Sequence, residues 1–318
     1  MAFNIKRQGR VIEVYPEIEE LMLKHNDHPQ LIHASNLINK CKKKESLDPE
    51  AKKYIQNHDI LCKLLPAYIE YLCCQLSIDD KSEDCIKKRV ESLDNYYKIF
   101  EDLAVESIFD SRSKIRSTIL EEFMYLLLLN ATKELMDKLG ENSKYVKCGS
   151  VKAYSNLYIT GKGVVDFIVK PEVKINSKDQ DYAVYRSLPI MIANEDDRNN
   201  ILSEEVANVP IIAIENKTFL DKTMLEGSVA TAEKVKLGNP YSTYIVVTET
   251  YAVDEDVDPI YSRIDQIFVL RKCKTDKENR LVQPISADVV SKIVQLVRYR
   301  FNREWSDVGS KIKEGLIM

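Results

Sequence analysis

Glycine is absent from the whole stretch between Gly9 and Gly140, and only Pro16, Pro29, Pro49 and Pro66 punctuate it. A segment so poor in turn-forming residues and so rich in Leu, Ile, Lys and Glu predicts helices. Histidine is scarce: His25, His28, His33 and His58 all fall in the first fifth of the chain. That placement excludes HxxxH and local Ser-His-Asp arrangements farther along. The spacing of the first three fits no metal motif and reads as polar positions around a helix end at Pro29. Seven cysteines form no CxxC pair, which argues against zinc and for free thiols in a reducing compartment. The longest apolar stretch, Phe123 to Leu129, is far below the roughly 20 residues of a membrane-spanning helix. The opening MAFNIKRQGR lacks the apolar centre of a signal peptide, so a cytoplasmic location without membrane contact is expected. Positive charge is not in surplus either. The net charge of -4 does not announce a nucleic-acid binder, yet a basic cleft can coexist with an acidic remainder.

What is present is enough for one large core or two modest ones: 318 residues, 44% of them hydrophobic. Segments such as PEIEELMLKH, YIQNHDILCKLL and AYIEYLCCQL carry apolar residues at three- and four-residue spacing. Residues 1–108 therefore read as a helical region, and 111–139 as one long helix. After Gly140 the pattern changes to short runs rich in Val, Ile, Tyr and Thr. KYVKCGSVKAY, NLYIT, VVDFIV, DYAVYRSLPI, VPIIAIE, STYIVVTE and QIFVL all read as strands. One helix interrupts them, with Asp221 as N-cap and Gly238 and Pro240 as its stop. A last helix is expected over 287–305. The expected division is 1–108 and 109–318. Lys40, Lys42, Lys43 and Lys44, and Arg298, Arg300 and Arg303, are candidates for phosphate contact, although such groups are more often solvated faces.

The chemistry centres on IIAIENK, residues 211–217. Strand side chains alternate, so Glu215 and Lys217 project from one face while Asn216 projects from the other. Alone, an E-x-K at the end of an apolar strand is as well explained by a surface ion pair. Its neighbourhood adds weight: a long helix carrying Glu121 and Glu122, an aspartate heading an apolar strand, the E-x-K strand, a helix and another strand. That order suits a metal-dependent phosphodiesterase. An Asp and a Glu on adjacent strands offer hard oxygens to a divalent cation such as Mg²⁺, and the lysine lies beside the water that attacks phosphorus. Two aspartates compete. Asp181 opens DYAV 34 residues before Glu215, whereas Asp166 opens DFIV 49 residues before it; the shorter connection favours Asp181. Asp179 shares the face of Asp181 nearer the strand's start. In the helix, Glu121 and Glu122 flank the apolar stripe of Ile115, Ile119, Phe123, Leu126 and Leu127, and either reaches a site over the sheet.

STILEEF, KDQDYAVYR and VPIIAIENKTFLDKTMLEGSVATAEKVKLGNPYSTYIVVTETY resemble the type II restriction endonucleases of the BbvCI kind, within the PD-(D/E)xK nuclease superfamily. The likeness covers roughly residues 108–252 and is densest in the last block. It implies an α/β fold with a restriction-endonuclease-like mixed central sheet flanked by helices, here preceded by the helical N-terminal region. It also implies Mg²⁺-dependent double-strand cleavage of DNA at a short site. On this resemblance Glu215 and Lys217 match the E-x-K, Asp181 matches the superfamily aspartate, and Glu121 is similar in position to a helix glutamate. Asp181 and Glu215 are then the metal ligands. The chain departs from the pattern in having Gln180, not proline, before Asp181. A repair or RNA-processing nuclease with the same core, or a binding subunit that has lost catalysis, are the alternatives. Cutting both strands calls for a homodimer or a related second subunit, for which the N-terminal helices offer apolar faces.

Overall fold

The computed structural model describes residues 3–7, 10–14, 30–42, 58–78, 82–108, 114–254, 257–273, 283–303 and 312–313. His25, His28, Lys43, Lys44 and Trp305 lie outside them. The chain begins with an antiparallel pair where helix was expected: β1 (Phe3–Arg7) and β2 (Arg10–Val14). FNIKR and RVIEV alternate apolar and polar residues on either side of Gly9, a hairpin pattern hidden inside a helical composition. Then follow α1 (Ile32–Lys42), α2 (His58–Ser77), α3 (Glu83–Asp102), the short α4 (Val105–Ile108) and the 23-residue α5 (Ser117–Leu139). The start of α3 shows why it begins there. The Ser82 side chain accepts from the Cys85 amide at 3.2 Å, and Glu83 and Asp84 sit where the helix dipole favours negative charge.

A five-stranded sheet follows, β3 (Lys147–Thr160), β4 (Glu172–Ala193), β5 (Ile201–Lys217), β6 (Thr243–Thr248) and β7 (Gln266–Val269), in that spatial order. The first three are antiparallel and the last three parallel. Parallel neighbours need a crossover, which α7 (Lys222–Gly238) provides between β5 and β6. Asp221 caps it, accepting from the Met224 amide at 2.8 Å. The sheet is covered on both faces. Ile212, Ile214, Ile245 and Val247 face the helical layer, in one cluster with Phe123 and Leu127 of α5, Leu64 and Tyr68 of α2 and Tyr96 of α3. Ile293 and Val297 of the last helix, α8 (Ala287–Asn302), belong to it as well. Ala213, Tyr244 and Val246 face the other way, against Leu225, Ala232 and Val235 of α7. With both faces covered, every residue of TYIVVT in β6 is buried.

Two further expectations need correction. VVDFIV is not a strand but the six-residue helix α6 (Val164–Val169) at the turn between β3 and β4. A short apolar run carries too few residues for its period to separate helix from strand. Here Gly161 lets the helix fold back: a Cβ there would lie 2.6 Å from the Phe167 amide. Val164, Val165, Ile168 and Val169 remain about three-quarters exposed, apolar surface of a kind that marks contact sites. The apolar faces of α2 and α3, by contrast, are not open to a partner. Leu64, Leu72, Leu93, Tyr97 and Phe100 are fully buried in the chain's own cluster. Among the described residues, no helix is long and apolar enough to cross a membrane.

Candidate active site

The site arises where the sheet forks. β4 and β5 pair as far as Tyr182 opposite Ile214. Beyond that point β4 continues beside β3, while β5 continues beside β6, with Glu215 opposite Val246 and Lys217 opposite Thr248. The end of β5 has thus lost its antiparallel neighbour, and the Asn216 amide takes the carboxylate of Asp181 in place of a strand carbonyl, at 2.7 Å. This bond places Asp181 at the mouth of the fork beside Glu215. One oxygen of Glu215, Oε1, is 2.6 Å from the Lys217 ammonium. The other, Oε2, accepts from the Tyr244 hydroxyl at 2.5 Å.

Glu121, in the first turns of α5, overlooks the same point. Its carboxyl is raised to about 7, first by burial and then by the charge of Asp181, against the lowering effects of Lys114, Ser117 and Lys217. Asp181 is raised too, chiefly by burial, with Glu215 adding repulsion and the Asn216 amide, Lys217 and Lys114 opposing it. Three carboxylates and two ammonium groups therefore act on one another here. A small, partly open cavity of about 140 Å³ is lined by Glu121 and Asp181 together with Gln30, Ile32, Ser35, Tyr125, Gly149 and Ser150.

Glu122 turns the opposite way and belongs to the scaffold. It is fully buried and accepts from the amides of His33 (2.8 Å) and Ala34 (3.0 Å) at the start of α1, and from the Tyr68 hydroxyl (2.5 Å) of α2. His33, expected as a polar position around a helix end, is part of this core. Its ring nitrogens meet the Thr118 hydroxyl at 2.9 Å and the Tyr96 hydroxyl at 2.8 Å. A second buried network sets α5 against the sheet. Glu249, fully buried just after β6, receives Arg271 at 3.1 Å and Arg116, at the head of α5, at 3.4 Å. Its amide donates to the Lys217 carbonyl at 3.0 Å, so the group that orients α5 also holds the end of the E-x-K strand.

The structure therefore brings Asp181, Glu215, Lys217 and Glu121 together, and leaves others outside. Asp166 is exposed on α6, separated from Asp181 by about 30 Å of strand. Asp179 is exposed opposite Lys152 of β3. Arg298 is paired with Glu134 at 2.7 Å and Arg300 with Asp265 at 3.6 Å. The side chains of Lys40 and Lys42 are outside the described set. Sequence reasoning missed Tyr244 and Glu249. The one available signal was a phenol and a carboxylate in or just beyond an otherwise apolar, fully buried strand, where polar groups need partners.

Among the described residues, no three His, Cys, Asp or Glu side chains form a ready-made metal cage. Mg²⁺ does not require one. It is bound through one or two carboxylates, waters and a substrate phosphate. Asp181 and Glu215 supply hard oxygens at one point, and their mutual repulsion is what a divalent cation relieves, so the residues present fit the ion.

A mixed sheet with helices on both faces, forked at an aspartate and an E-x-K, is the restriction-endonuclease-like fold. The model of the Bpu10I restriction endonuclease family matches residues 112–317, and the chain belongs to that family. Among solved structures it is similar to the one described as the native BbvCI A2B2 tetramer at low resolution. The TM-score is 0.64 and the identity 21%, over 90% of this chain and 97% of that one. At that identity the likeness speaks for the fold. No curated protein matches the chain.

Proposed function

We propose that this restriction endonuclease hydrolyses double-stranded DNA at a specific site with Mg²⁺, using Asp181 and Glu215 to hold the ion. The observation that carries the reading is the convergence of Asp181, Glu215 and Lys217 on one sheet fork, with Glu121 above it. When bound, the cation supplies positive charge at the phosphate and lowers the pKa of a coordinated water. Lys217 orients the attacking water and offsets charge gathering on the phosphorus oxygens. Glu121, which faces Asp181 and Lys217 from α5, accepts hydrogen bonds from waters at the mouth of the fork. The new bond joins the water oxygen to phosphorus and the water's proton passes to solvent, while the bond to the 3′ or 5′ oxygen breaks with its electron pair staying on that oxygen, which is protonated from solvent.

One such fork cuts one strand per engagement, so the active species contains two catalytic chains, identical or related. The A2B2 composition of the BbvCI tetramer supports pairing with a second chain. The test is digestion of a sequenced plasmid with Mg²⁺ and mapping of the ends, in parallel with Glu215→Ala and Lys217→Ala. Each variant should keep its fold and lose about 10²- to 10⁴-fold in cleavage. Near-normal cutting by either would overturn the assignment.

A further inference from the structure

The Glu215 carboxylate carries two oxygens, and the fold treats them differently. Oε1 faces a flexible, partly exposed lysine. Oε2 faces a phenol that is rigidly held. The Tyr244 ring is fully buried among Ala213, Val246, Leu225, Ala232 and Val235. Its backbone is pinned as well, its amide donating to Asp265 Oδ2 at 2.7 Å and its carbonyl accepting from the Asp265 amide at 2.9 Å. The hydroxyl is therefore held beside Glu215, to which it donates at 2.5 Å, with the Thr231 hydroxyl as its other neighbour.

We propose that Tyr244 is a positioning residue: it holds Oε2 of Glu215 so that Oε1, the oxygen beside Lys217, is presented to the divalent cation. This rests on the reading of Glu215 as a metal ligand. A glutamate side chain has three rotatable bonds, and without the phenol Glu215 is free to turn both oxygens onto Lys217, which competes for the same charge. With Oε2 fixed, the cation and the ammonium share the same oxygen, and the lysine stays beside the ion's water shell. Partners that orient a metal ligand through its other atoms commonly account for about 10- to 100-fold in metal affinity or activity.

The test uses full-length protein and Mn²⁺ as the probe, its binding followed by electron paramagnetic resonance without turnover. Tyr244→Phe removes one oxygen and leaves the ring to fill its cavity. Mn²⁺ should bind about 10- to 100-fold more weakly, and half-maximal cleavage should need correspondingly more Mg²⁺, while the rate at saturating Mg²⁺ changes far less. In a Glu215→Gln background the same substitution should cause no further loss of Mn²⁺ affinity, because the oriented carboxylate is already gone. Wild-type Mn²⁺ affinity in Tyr244→Phe would overturn the positioning role, and so would an undiminished effect in the Glu215→Gln background. If the wild-type protein itself neither binds Mn²⁺ nor cuts with Mg²⁺, the proposed function falls first and this inference with it.

Discussion

Replacing Glu122 by glutamine should make the stability of the protein respond to pH in a way the wild type does not. Burial raises the Glu122 carboxyl from an ordinary 4.5 to about 7, outweighing the hydrogen bonds from Tyr68, Ala34 and His33 that favour its ion. Beside it, burial lowers His33 from 6.5 to about 3. Between pH 4.5 and 6.5 the unfolded chain carries one proton on this pair, on His33. The folded chain also carries one, on Glu122. Equal proton counts mean no slope from the pair in that window. Glu122 alone favours the folded state fully below about 4.5, and this contribution is lost as pH rises through about 7. Across that gap it amounts to about 3 kcal/mol. Glu122→Gln removes the term and leaves His33 uncompensated. The stability of the variant should then fall as pH drops from 6.5 toward 3, by about 1.4 kcal/mol per pH unit. Urea unfolding of metal-free wild type and variant at a series of pH values from 5 to 8 provides the difference directly, with all other titrating groups common to both. The wild type should lose ground to the variant as pH rises from 5 to 7, then run parallel to it. A difference that is flat over this range, or one that slopes the other way, would refute the burial argument.

Asp181→Ala should abolish Mg²⁺-dependent cutting while Asp166→Ala retains it, and DNA binding measured in Ca²⁺ should survive in both; the reverse pattern of cleavage would transfer the role to the α6 aspartate. Mixing active protein with an excess of Lys217→Ala protein should make nicked circles accumulate from supercoiled plasmid, because mixed assemblies cut one strand. If chains exchange and only linear product forms, in proportion to active chain, the two-site assembly is wrong. Gly161→Val should destabilise the hairpin tip without affecting the fork, since a Cβ there meets the backbone of Phe167. Faster proteolysis within 161–171 at unchanged cleavage activity would show it, and unaltered proteolysis would contradict it.

Much of this protein is determined by local chemistry that the sequence displays. Alternation along IIAIENK is enough to put Glu215 and Lys217 on one face, because strand side chains have a period of two. Asp221 starts α7 through capping, which is also local, whereas Gly238 at its end is a glycine because β3 passes so close that a Cβ would lie 2.8 Å from the Ser155 carbonyl. The identity of the third partner is not a local matter. Asp181 joins the pair because β4 is not yet paired with β5 before Tyr182, leaving the Asn216 amide to be met by a carboxylate. Where two strands diverge depends on the whole sheet. The same holds for Glu121 and Glu122, adjacent in sequence and both beside an apolar stripe. One turns to the fork, and the other is buried because α1 and α2 close over it. Tyr244 had no sequence signal beyond a phenol in a buried strand; only the packing of β6 against β5 and α7 aims its hydroxyl at Glu215. Periodicity and capping are short-range and can be read from a chain, whereas the meeting of side chains from β4, β5, β6 and α5 is decided by tertiary packing.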